Sequence, residues 1–128
     1  MITLTLNEIF NAAPFLKEIS TKDFPGIIAF KIARLIRELD KEIELFDIER
    51  NKIIYKYCEK DQNGNPVLLE NRNVKLFQDK IEEATTELNT LLKNQVEINA
   101  EKVPISVFDS IGLTPEQAFN LEAIVDFE

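Results

Sequence analysis

A chain of 128 residues, 45% apolar and 30% charged, is large enough for one buried core and too apolar for general disorder. Three glycines and five prolines allow few turns, which argues against a many-stranded sandwich and for long helices. The net charge of −8 disfavours direct contact with nucleic acid or an anionic membrane, and the one cysteine cannot close an internal disulfide.

The apolar runs are too short for a transmembrane span or a signal-peptide core, so a soluble chain in a reducing compartment is expected. At the N-terminus, Ile2, Leu4 and Leu6 alternate with threonines, a short strand pattern. Thr5 followed by Glu8 is a capping box, and Leu4 with Ile9 is placed as a hydrophobic staple. A brief strand and then a helix from about Leu6 satisfy both signals, with Pro14 interrupting or kinking that helix. Thr21-Lys22-Asp23-Phe24-Pro25 marks a second helix start.

From Pro25 to about Glu59, Ile32, Ile36, Leu39, Ile43, Phe46, Arg50, Ile53 and Tyr57 recur at alternating spacings of four and three, a heptad seam with Arg50 as its polar interruption. Val74, Phe77, Ile81, Ala84, Leu88, Leu91 and Gln95 repeat the pattern. Between the two runs, Lys60 to Pro66 is the densest turn signal in the chain, and Asn63-Gly64 suits a turn that needs positive φ. A connection this short makes the helices antiparallel neighbours. Folding about it sets Tyr57 by Val74, Ile53 by Phe77, Phe46 by Ala84, Ile43 by Leu88 and Leu39 by Leu91. Arg50 then falls near Asp79, Glu82 and Glu83. Ile28, Leu35, Ile54, Leu76 and Leu92 lie beside the seam, where either the base or a second copy in a homodimer must cover them.

Beyond Gln95, Val96-Glu97-Ile98 alternates, and Lys102 to Ile105 is extended with Pro104 at an edge. Ser106 and Asp109 open a helical turn that Gly112 closes. Thr114-Pro115-Glu116-Gln117 starts a terminal helix carrying Ala118, Leu121, Ala123, Ile124 and Val125. The expected fold is mainly α and a single domain: a long, coiled-coil-like antiparallel helical hairpin over residues 25–95, with its tip near 61–73. Residues 1–24 and 96–128 form a compact base that can include a small β-sheet. No internal repeat is evident.

No catalytic, cofactor or metal site is legible. The chain has no histidine, the commonest general base and metal ligand. Cys58 is followed by the charged residues Glu59, Lys60 and Asp61, with no base evident to activate it, and reads as a structural thiol. Asp61, Asn63 and Asn65 are spaced like the opening of a calcium loop, but Pro66 and Arg72 stand where its glycine and bidentate glutamate belong. Glu38 with Glu42, and Asp40 with Glu44, are carboxylates one turn apart that lack a histidine co-ligand. What remains is charge. Arg37 to Glu49 holds six acidic and two basic residues, and after Lys102 only acidic charges follow. Glu38, Glu42, Asp47 and Glu49 are therefore candidate contacts for a basic protein partner, and the turn at Asn63-Gly64 is a further candidate surface.

The order of these features resembles a small family, a domain of unknown function, encoded by phages and prophages of Gram-positive bacteria. The likeness runs from Leu4-Thr5-Leu6-Asn7-Glu8 through Ala29-Phe30-Lys31-Ile32-Ala33-Arg34-Leu35 and Tyr57 to Asn65. It continues in Glu87 to Leu92, Val96-Glu97-Ile98 and Leu113-Thr114-Pro115-Glu116. Cys58 stands where that family has glycine. The resemblance implies a non-enzymatic viral protein of the host cytoplasm or the virion. It would be a tail component, adaptor or assembly factor, or an anti-defence protein, of anti-CRISPR or other type, that occupies a basic host surface.

Overall fold

A computed structural model describes residues 1–127; Glu128, counted in the acidic tail, lies outside the described residues. The chain is mainly helical, with one long helix and a small two-stranded antiparallel sheet. Its contacts divide it into two units: Met1–Glu44 together with the chain from Asn94 on, and Leu45–Lys93. The division falls inside the long helix, so its N-terminal part belongs to the unit that contains both chain ends.

In that first unit, β1 (Ile2–Thr5) pairs antiparallel with β2 (Gln95–Ile98), setting Ile2 opposite Ile98 and Leu4 opposite Val96. Thr5 ends the strand and caps α1 (Leu6–Ile19): its hydroxyl accepts from the Glu8 amide at 3.1 Å, and the Glu8 carboxylate accepts from the Thr5 amide at 2.9 Å. The helix continues across Pro14 to Ile19 rather than being interrupted. Pro14 is on the exposed face, while Ala12, Ala13, Leu16 and Ile19 are buried and hold the segment against the core. The long helix α2 (Gly26–Tyr57) starts just after Pro25, whose carbonyl accepts from the Ala29 amide at 2.9 Å. Lys17 joins α1 to α2 through Asp40 at 2.8 Å.

The chain end completes this unit. β3 (Val103–Pro104) leads into a 3-10 helix at Ile105–Ser110, and α4 (Pro115–Leu121) follows with a capping box between Thr114 and Gln117. The terminal helix is shorter than expected. After a 3-10 turn at Glu122–Ile124, Val125 leaves it to form β4 (Val125–Asp126), parallel to β3, because Val103 and Val125 are both buried when the backbones pair. Ile9, Leu16, Leu35, Leu39, Ile98, Leu121 and Ile124 are fully buried, each worth about 1.5–3 kcal/mol relative to exposure. Leu35, expected beside the seam, is therefore covered by this chain's own base.

The second unit holds the end of α2, the tip and α3 (Ile81–Leu92). The second helix begins later than expected, because Val74 to Phe77 is extended and Gln78–Lys80 forms a 3-10 turn. Val74 and Leu76 are half-buried between exposed Asn73, Lys75 and Phe77, a period of two that a helix cannot bury. Three short passes close on one another in a ring of backbone bonds. Glu59 donates to Lys75 at 2.9 Å, Lys75 to Val67 at 2.8 Å, and Val67 to Glu59 at 2.8 Å.

The connections between these passes are an eight-residue geometric repeat, contrary to the expectation of none. Asp61 donates to Asn65 and Gly64 to Asp61; Leu69 donates to Asn73 and Arg72 to Leu69 in the same way. Gly64 (φ 80°) and Arg72 (φ 66°) hold the equivalent left-handed position. The trace in sequence is slight: Asn63, Asn65 and Leu68 recur as Asn71, Asn73 and Leu76. This tip moves the register. Cys58 bridges Leu76 and the Phe77 amide donates to the Tyr57 carbonyl at 3.0 Å, so Tyr57 does not face Val74. Phe46 and Ala84 are buried, but Phe77 and Ile81 are exposed. Arg50 pairs with Asp47 on its own helix at 3.7 Å rather than with acids near Ile81.

Candidate interaction surfaces

The four candidate carboxylates of α2 do not present one free acidic face. Glu38, with a side chain only 16% exposed, bonds Lys41 at 3.1 Å, and Glu42 is half-buried. In the second unit Asp47 pairs with Arg50 and Glu49 with Lys52 at 3.2 Å. Two residues apart, Asp47 and Glu49 point about 200° apart around the helix. Cations one turn along thus engage Glu38, Asp47 and Glu49.

The turn at Asn63-Gly64 is built from its own bonds. The Asp61 carboxylate accepts from the Asn63 amide at 2.8 Å and the Asn65 amide at 3.0 Å. The Tyr55 hydroxyl donates to the Gly64 carbonyl at 3.0 Å, while Lys60 donates to the Tyr55 carbonyl and lies 4.4 Å from its ring centre. The calcium-loop spacing thus serves turn geometry, and no group of three metal-ligating side chains occurs among the described residues. Cys58 is fully buried behind the turn, its thiol donating to the Tyr55 carbonyl at 3.2 Å.

Sequence reasoning missed a polar cluster where α2 ends. The Tyr57 hydroxyl and the Lys56 ammonium both donate to Oε1 of Glu87, at 2.6 Å and 3.1 Å. These bonds, Tyr57 first and Lys56 second, hold the Glu87 carboxyl below its ordinary value, and the bond to Glu87 raises both Tyr57 and Lys56. Tyr57 and Glu87 line an open groove of about 400 Å³ with Asp79, Glu82, Glu83 and Thr86. The groove is acidic, but Lys80 and Lys56 pair with two of its carboxylates. A register that sets Tyr57 by Val74 places Glu87 out of its reach, so spacing alone does not show the cluster.

No protein-family model, curated protein or solved structure matches this chain.

Also missed were large apolar side chains left in water on helices of the first unit: Ile27 and Phe30 on α2, and Phe119 on α4. Their signal was present, since Ile27 and Phe30 stand three apart and off the seam positions. Phe30 lines an open cleft of about 380 Å³ with Met1, Lys31, Arg34 and residues 99–101. Lys31 pairs there with Glu101 at 3.1 Å, and Nε of Arg34 donates to the Asn99 carbonyl at 3.1 Å. Among the described residues no helix is long and apolar enough to cross a membrane.

Proposed function

We propose that this chain is a non-enzymatic phage or prophage protein that works through protein–protein contact, as a virion or tail component, an adaptor or an assembly factor. The observation that carries the reading is the set of large apolar side chains held in water by helices. Ile27, Phe30, Leu45, Ile48 and Phe119 are each more than half exposed, whereas the polar clusters of the turn and of Glu87 are bonded within the fold. The resemblance of the ordered motifs to the phage and prophage family supports a viral origin. Its site of action is the host cytoplasm or the virion, and its partners are a phage structural protein and a second copy of itself.

A second reading rests on a different observation. The groove of Asp79, Glu82 and Glu83, in a chain of net charge −8, suits a basic protein surface. It makes the chain an accessory protein that inhibits a host defence complex. Quantitative mass spectrometry of purified virions separates the two. Stoichiometric presence supports the first reading. Absence from virions, with salt-sensitive binding to a purified host defence complex, replaces it with the second.

A further inference from the structure

Two aromatic side chains of the first unit take no part in its core: Phe30 on α2 is 78% exposed and Phe119 on α4 is 75% exposed. A phenylalanine held in water forgoes the transfer free energy that burial releases. The surroundings of the two rings carry opposite charge. In the cleft at Phe30, Glu101 neutralises Lys31, but the Arg34 guanidinium is oriented by a carbonyl bond that leaves its charge unpaired, and Arg37 follows one turn later. Phe119 lines a separate groove of about 240 Å³, and Glu116 and Glu122 flank it three residues to either side. None of Arg34, Arg37, Glu116 and Glu122 makes an ion pair among the described residues. The two sites share no lining residue.

We propose that this chain self-associates, with Phe119 of one copy seated against Phe30 and Met1 of another, and Glu116 and Glu122 facing Arg34 and Arg37. A second copy is the occupant because an apolar ring between two unpaired carboxylates meets the exposed apolar side chains of Phe30 and Met1 beside two unpaired cations. Like patches repel one another, so each contact joins the acidic patch of one copy to the basic patch of another, a pairing that a two-fold dimer makes twice and a longer assembly makes copy by copy. The inference is independent of the viral role, since it is read from side chains of this chain alone.

Sedimentation velocity of the full chain tests it, from about 10 to 300 µM at low and high salt. The expected result is a mass that rises above the monomer at low salt and falls back as salt is added. Arg34→Glu with Arg37→Glu, or Glu116→Lys with Glu122→Lys, should weaken association at least about tenfold in either chain alone. Mixing the two variants one to one restores complementary charges at both contacts and should restore association. Phe119→Ser, which alters no charge, should weaken association similarly, and circular dichroism should show every variant folded because these side chains are exposed. A wild-type chain that stays monomeric at the highest concentration, or a mixture that fails to reassociate, would overturn the proposal.

Discussion

The Tyr57 hydroxyl reaches Oε1 of Glu87 at 2.6 Å across 30 residues of chain, joining the last turn of α2 to the middle of α3 in the tip-bearing unit. The same oxygen accepts from Lys56, so one carboxylate fastens two neighbouring side chains of α2.

Linkage fixes how this fastening responds to pH. Glu87 is lowered in the folded chain, so its contribution is present above the ordinary carboxylate value and is lost as pH falls through the folded value. Lys56 and Tyr57 are raised, so theirs is present below their ordinary values and lost as pH rises through the folded ones. Glu87→Gln should therefore flatten the acid limb of urea midpoint against pH, and Tyr57→Phe should flatten it in part. An acid limb identical to wild type in both variants would show that the cluster is a solvated contact without linkage.

Periodicity places Leu39 and Leu88 each on a helical seam, yet Leu39 is 1% exposed while Leu88 is half-buried. Leu39→Ala should lower stability by about 2–5 kcal/mol. Leu88→Ala should lower it by less, because part of the side chain stays in water. Chemical denaturation of both variants checks the order, and an equal or larger loss at Leu88 would contradict the burial found.

The repeated turns make opposite predictions at equivalent positions. Gly64 adopts φ 80°, and a Cβ there meets nothing within 4 Å, so Gly64→Ala should cost about 1–2 kcal/mol through backbone strain alone. Arg72 already bears that strain at φ 66°. Arg72→Gly should raise stability by about 0.5 kcal/mol, the relief exceeding the added unfolded-state entropy. Thermal midpoints moving in the same direction for both variants would refute the equivalence of the turns.

Cys58 is fully buried beneath the ring of backbone bonds at the tip. Its labelling by a thiol reagent should be slow and should speed up when Tyr55→Phe removes the hydroxyl bond to Gly64, because access requires local opening of the tip. Labelling as fast as a free thiol peptide in the native chain would mean that the tip is open.

What the sequence determined alone is local. The capping boxes at Thr5 and Thr114 link residues three apart, so they were legible with their partners, and the extended segments at Ile2–Thr5 and Val96–Ile98 followed from alternating apolar residues, though their pairing did not. The mainly helical fold follows from the same short-range rules. The tertiary structure alone decided the register at the tip, the extended path of Val74 to Phe77 and the meeting of Tyr57 with Glu87. Each depends on backbone bonds among Glu59, Val67 and Lys75, which no spacing rule connects. The same holds for the candidate surfaces. The acids of α2 were visible as charges, but whether a carboxylate is free depends on the cation beside it in space. Whether Phe30 or Phe119 is core or surface depends on what else folds over it, and here nothing among the described residues does so fully.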